Sequence, residues 1–130
     1  MSVAAAVRIA SRADAAVIER AASFAADAQT TCYIVSVVDE LPYGRDADEA
    51  RDVVLENLTL IESVHACPVM QEGDDVAQTL LTVARGFGVT TLFIRRGISL
   101  LLGRSLAERL LYLNPPFDVV VVGAEDIESA

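Results

Sequence analysis

The chain has 130 residues, 53% of them apolar and 22% charged, with a formal net charge of −9. That balance fits a globular protein rather than a disordered one, and the length fits one domain over residues 1–130 with a core large enough to fold alone. The negative charge argues against non-specific nucleic-acid binding and disfavours anionic membrane surfaces, and no apolar run approaches the roughly 20 residues that span a bilayer.

The opening, MSVAAAVRIAS, does not have the pattern of a signal peptide, because its apolar core is short, no cation precedes it and Arg8 interrupts it. A cytoplasmic location is the expectation. The run VAAAVRIA (3–10) reads as the first strand. Ala13–Ala28 has helical spacing, with Ala16, Val17, Ala21, Phe24 and Ala25 apolar and Asp14, Glu19, Arg20 and Asp27 over the remainder. TCYIVSVV (31–38) is the second strand, followed by a turn-rich loop, DELPYGR, at Asp39–Arg45. Asp46–Ser63 places Ala50, Val53, Val54, Leu58 and Ile61 on one stripe of a second helix. HACPVM (65–70) is the third strand, with the sole histidine, His65, at its start. The helix Asp74–Phe87 takes Asp74 as its N-cap candidate, and Gly86 or Gly88 ends it in a left-handed conformation.

VTTLFI (89–94), the fourth strand, leads into a glycine-bearing loop, RRGISLLLGRS (95–105). Ser105 with Glu108 three residues on is a capping-box pattern for a last helix, Ser105–Leu113, which Asn114-Pro115-Pro116 stops. FDVVVV (117–122) is the final strand. The apolar runs are rich in β-branched and aromatic residues and run continuously, as strands covered on both faces do. Strict alternation of strand and helix predicts a parallel sheet with helices on both faces and right-handed crossovers. Ligands of such sheets lie beyond the carboxyl ends of the strands. That edge gathers Ser11–Asp14, Asp39–Arg45, Gln71–Asp74 and Arg95–Ser105.

Cys32 and Cys67 lie in strand-like runs and are expected as buried, reduced thiols. One histidine and two scattered cysteines give no metal site, His65 reads as a structural or surface residue, and Ser11 and Ser105 lack a nucleophile elbow. No catalytic residue is assigned, and an enzyme is not expected.

In the second half, Gly73-Asp74, the fourth-strand run, Leu102-Gly103-Arg104-Ser105-Leu106-Ala107-Glu108-Arg109, Pro115-Pro116 and Val119–Val122 occur in an order that resembles the universal stress protein family. VRIAS, an Ala-rich helix and YIVSVVDE agree more loosely in the first half. The sequence is also similar to the stress-protein-type module of potassium-sensing histidine kinases. The resemblance implies a three-layer, five-stranded parallel sheet in the order 3-2-1-4-5, a Rossmann-like fold, and a homodimer. It also implies ATP, held in nucleotide-binding members by an Asp after strand one and a pattern of Gly, two residues, Gly, nine residues, Gly, then Ser or Thr.

That pattern is not met here. Ser11 stands where the Asp is expected, with Asp14 the nearest acid. If Arg104-Ser105 is the Gly-Ser pair, the two earlier glycines fall on Thr91 and Ile94; if Arg95 stands for the first glycine, the loop is shorter than the family's. Glycines admit positive φ and let backbone N–H groups approach phosphate, whereas arginine fills that space. The usual ATP mode is therefore expected to be lost or weakened, with no cofactor as the reading and weakly held ATP or AMP as its alternative.

Arg12, Arg95, Arg96 and Arg104 gather near this loop, and guanidinium forks suit phosphate. Pairing with acids such as Asp14 and Asp39 is the favoured account of them. The candidate ligand contacts are Ser11, Arg12, Val38, Asp39, Arg95, Gly97, Gly103, Arg104 and Ser105. Val119–Val122, on an edge in the 3-2-1-4-5 order, invites pairing with a second copy. The function read from this is a non-enzymatic, dimeric stress-response or regulatory protein acting on an unidentified protein partner. An arginine-based nucleotide sensor and a module regulating a transporter or kinase are its alternatives.

Overall fold

The computed structural model describes residues 1–9, 11–38, 45–96 and 105–123, the side chains of residues 38 and 45–47 excepted. The strands are β1 (Ser2–Ala6), β2 (Thr31–Val38), β3 (Cys67–Glu72), β4 (Val89–Arg95) and β5 (Asp118–Val122). The helices are α1 (Ala15–Asp27), preceded by a 3-10 turn at Arg12–Asp14, α2 (Arg45–Ser63), α3 (Val76–Gly86) and α4 (Leu106–Tyr112). The strands form one sheet in the order β3-β2-β1-β4-β5, and the four neighbouring pairs are parallel. This is the fold class and strand order read from the sequence.

Two apolar layers sandwich the sheet. On one face Val3, Ala5, Ile34 and Phe93 meet Val17, Ile18, Ala21 and Ala25 of α1 and Ile61 of α2. On the other, Ala4, Ala6, Val35, Leu92 and Ile94 meet Ala77, Leu80, Leu81 and Ala84 of α3 and Leu106 and Leu110 of α4. Successive strand residues point to opposite faces, so two covered faces require both sets to be apolar. That is why β1 and β4 read as unbroken runs. Each large buried side chain, such as Phe93 or Ile18, contributes about 1.5–3 kcal/mol by leaving water.

The structure shifts several predicted boundaries. β1 ends at Ala6 rather than at residue 10. Val7 still donates to the Val35 carbonyl, but the Arg8 N–H turns to Asp14 and the Ile9 carbonyl to Asn57. Side chains thus take over the backbone groups the ladder would have used. The third strand begins at Cys67, because His65 adopts φ +58 in the turn that closes α2. Its N–H there reaches Glu62, and the N–H of Ala66 reaches Ile61. His65 is therefore an exposed turn residue. The cap of α3 is Asp75, not Asp74: its backbone is extended and its carboxylate accepts the Gln78 N–H. Gly88, at φ +65, is the left-handed glycine after that helix.

Both cysteines are free, and Cys32 is buried, but Cys67 is exposed. The sequence reading placed Cys67 inside, and it is wrong because β3 is an edge strand whose residues are mostly uncovered. Burial, with a smaller effect from Cys67, pushes the Cys32 thiol up to about 11. Among the described residues no helix is long and apolar enough to cross a membrane, and no group of three or more His, Cys, Asp or Glu side chains could hold a metal ion.

Candidate functional site

The strand order reverses between β1 and β4, since β1 is followed outward by β2 and β3 on one side and by β4 and β5 on the other. The carboxyl ends of those two central strands define the crevice in which open α/β sheets receive ligands. On the β1 side the crevice is bounded by the segment from Val7 to Asp14, and two buried side chains fix it. Asp14 accepts the Arg8 backbone N–H. Asn57, reaching over from α2, donates through Nδ2 to the Ile9 carbonyl at 2.7 Å and to the Ser11 carbonyl at 3.1 Å.

Asp14 is fully buried and lies 2.9 Å, Oδ1 to Nε, from Arg95 at the end of β4. Neither atom has an aligned hydrogen bond, so the contact is one of charge on charge across the crevice. Burial raises the Asp14 pKa above its ordinary value, against the opposing pull of the Arg8 N–H, the Arg95 charge and the Arg8 charge. Desolvation outweighs pairing here, as it often does for buried ions.

Alternation along β4 decides which face each side chain serves. Phe93 packs with α1, and Arg95, two residues later, follows it to that face, where Asp14 waits at the start of the helix. Ile94 packs with α3 and α4, so Arg96 follows it to the opposite face. On that opposite face lies a cleft of about 70 Å³ lined by Ala6, Val7, Arg8, Val35, Val37, Val76, Leu80 and Leu106. Its walls are aliphatic and its charged member is Arg8. A cavity of ~150 Å³ admits benzene and drug-sized ligands occupy about 300–1,000 Å³. This cleft is smaller than either and has room for no more than the edge of a ring.

The sequence candidates fall in different places. Ser11 is half-buried and presents its carbonyl to Asn57. Arg12 is exposed and turned to α2, where it forms a two-point pair with Glu56 at 3.2 and 3.4 Å. Arg95 is spent on Asp14. Arg12 and Arg95 therefore do not pool their charge. Val38 ends β2. Ser105 caps α4 by accepting the Glu108 N–H at 3.1 Å. Asp39, Gly97, Gly103 and Arg104 lie outside the described residues.

One proposed correspondence with the glycine pattern is overturned. Thr91 and Ile94 are buried in the middle of β4, in register with Val3 and Ala6 of β1. Neither is a loop position, so any counterpart of the phosphate loop starts no earlier than Arg95.

Two residues of the crevice escaped the sequence reading, whereas the pairing of Asp14 with an arginine was its favoured account. Arg8 looked like an interruption of a strand. Asn57 carried a usable signal: it stands four residues from both Val53 and Ile61, on the buried stripe of α2. An amide there announces a buried hydrogen bond.

No protein-family model matches the sequence, and no curated protein matches it. Solved structures do. A universal stress protein family member from Burkholderia pseudomallei has 24% identity and a TM-score of 0.65, over 93% of this chain and 95% of that one. A universal stress protein in complex with cAMP has 18% identity and a TM-score of 0.69, over 95% and 96%. The Archaeoglobus fulgidus universal stress protein in complex with dAMP has 17% identity and a TM-score of 0.66, over 93% and 96%. The chain has the universal stress protein fold.

Proposed function

We propose that this chain is a single-domain, cytoplasmic regulatory protein of the universal stress type, a homodimer that works through protein contacts and catalyses no reaction. Its carboxyl-edge cleft takes an adenine nucleotide with a single phosphate, in place of ATP held by a glycine loop. The observation that carries the reading is the cleft itself. It lies beside the strand-order reversal, has aliphatic walls for a ring, and counts one cation, Arg8, among its described lining residues. The nucleotides in two similarly folded proteins, cAMP and dAMP, each carry one phosphate. The strand runs through Arg95, so an arginine stands where the family's first loop glycine would begin, which disfavours the usual triphosphate mode.

The two sheet edges differ in a way that supports pairing through β5. β3 carries Pro68, which removes a ladder donor. β5 is a run of valines with Val121 at 42% exposure, and Leu111 and Tyr112 of α4 are exposed as well. Two copies joined edge to edge would remove this apolar surface from water.

Thermal melting with millimolar ATP, AMP and cyclic AMP tests the ligand reading. A ligand at about 100 times its Kd stabilises the native state by about 2.7 kcal/mol. AMP or cyclic AMP should raise the midpoint, and a flat response to all three would refute the proposal. Light scattering coupled to size exclusion tests the dimer: Val121→Lys should convert it to a monomer, and a wild-type monomer would refute it. Turnover of ATP above a buffer control would refute the non-enzymatic assignment.

A further inference from the structure

We infer that Arg8 is the anion-recognising residue of the cleft, and that the cleft selects a ligand carrying one apolar ring with one anionic group beside it. This rests on the reading of the cleft as a ligand site and adds the residue that reads charge and the number of charges it reads.

Most arginines that touch the crevice or its helices are committed to an acid. Arg12 pairs with Glu56, Arg95 with Asp14 and Arg109 with Asp75. Arg8 differs. It is exposed, it lines the cleft, and its guanidinium makes no hydrogen bond or close ion pair among the described residues, its charge reaching Asp14 only at longer range. In a chain with 19 acidic and 10 basic residues, acids to pair with are in surplus. An arginine without a close acid among the described residues is then available to an outside anion. Its backbone, by contrast, is fixed, because the Arg8 N–H is held by the buried Asp14 carboxylate. A fixed backbone with a free fork lowers the ordering cost of recognition.

Charge number follows from the same geometry. Asp14 draws Arg95 to the α1 face, and Arg96 is not among the residues that line the cleft. The described walls therefore offer one guanidinium, which matches one phosphate or carboxylate bidentately. Further phosphates on a longer ligand would find no second cation in these described walls.

The test is titration calorimetry at fixed low ionic strength with adenosine, AMP and ATP. The proteins are the wild type, Arg8→Gln, Arg8→Lys and, as a control outside the cleft, Arg12→Gln, each checked for its fold by circular dichroism. Arg8→Gln should weaken AMP by at least about tenfold, the worth of one charge-assisted hydrogen bond, and leave adenosine within about twofold. Arg8→Lys should fall between, since it keeps the charge and loses the fork, and Arg12→Gln should bind as the wild type does. ATP should bind the wild type no more than about threefold tighter than AMP. An unchanged AMP affinity in Arg8→Gln, an equal loss of adenosine, or ATP bound tenfold tighter than AMP would each overturn the inference and leave a nucleotide site in place. Absence of binding by all three ligands in the wild type would overturn this inference together with the cleft reading beneath it.

Discussion

Replacing Asn57 by leucine isolates the contribution of one buried amide to the crevice. The side chain is 3% exposed and donates to two carbonyls, Ile9 at 2.7 Å in a fully buried setting and Ser11 at 3.1 Å in a partly buried one. Leucine has a similar size and suits the apolar stripe of α2, so little packing is lost. Both carbonyls lose their donor. The first bears the full penalty of a buried acceptor without a partner, about 1–3 kcal/mol, and the second, open to water on one side, about 0.5–1.5 kcal/mol. Part of this is offset because an apolar side chain is easier to bury than an amide. A net loss of about 2–3 kcal/mol remains. For a chain of this length a kcal/mol moves the midpoint by roughly 3–5 °C, so Asn57→Leu should melt on the order of 10 °C below the wild type. Urea unfolding followed by circular dichroism should show a lower midpoint at an unchanged slope. Because Asn57 holds the segment that carries Arg8, AMP binding should weaken as well, beyond what the lower stability explains. A stability within 0.5 kcal/mol of the wild type, the usual range for a neutral surface change, would refute the view that α2 fixes the β1 loop.

Other outcomes follow from single residues. Burial raises the Asp14 pKa above its ordinary 3.8, so the native chain holds that proton more tightly than the unfolded chain. The stability this group contributes is present in full below the unfolded value and is lost as pH rises through the folded one. Asp14→Asn has no such titration, so its urea midpoint should gain on the wild type as pH rises from about 4; a constant difference between the two would show that no shift exists. A thiol reagent applied to the native protein should label Cys67, which is exposed, and spare Cys32, which is 5% exposed with its thiol pushed up to about 11. Cys67→Ser should abolish native labelling, and rapid modification of Cys32 would contradict the packing of β2 under α1. At Gly88, φ is +65 and an added Cβ meets nothing within 4 Å. Gly88→Ala therefore bears backbone strain alone, about 1 kcal/mol, whereas Gly86→Ala, at the helical end of α3 and equally free of contacts, should be neutral or mildly stabilising in the same melts.

The elements that came through from the sequence are those in which covalent pattern and burial agree. β1 and β4 are central and covered on both faces, so their residues had to be apolar without alternation, and they read as strands at once. The reading overshot at VRIA because burial and strand pairing part company there. Val7 and Ile9 remain buried at 6% and 8% exposure, but the backbone has already left the ladder for side-chain partners. The third strand slid by two residues because the left-handed turn before it falls on His65, a residue with no turn signature of its own; Gln29 closes α1 in the same way. The ion pair at Asp14 was foreseeable only as a list of acids and arginines near one edge. Which arginine meets which acid depends on the face each strand residue takes, and that is set by a register invisible until the strand ends are fixed. Arg8 was hidden for the converse reason, since a charge inside an apolar run looks like an accident when the point where the strand stops is unknown.

The end of β4 explains why this crevice differs from a phosphate cradle even before its loop is considered. A cradle needs backbone N–H groups presented without side chains between them and the oxygens. Here the chain stays in strand geometry through Arg95, and the N–H of Arg96 is still occupied, donating to the Val122 carbonyl at 2.9 Å. The N–H of Arg96 is therefore not free to meet a phosphate. The side chain at the last strand position is anchored on Asp14 beneath α1, which ties the exit of β4 to the exit of β1. On the α3/α4 face the strand ends place Ala6, Val35, Val37 and Arg8 along the cleft. An acid at position 14 thus engages Arg95 on the α1 face of the sheet, away from the cleft.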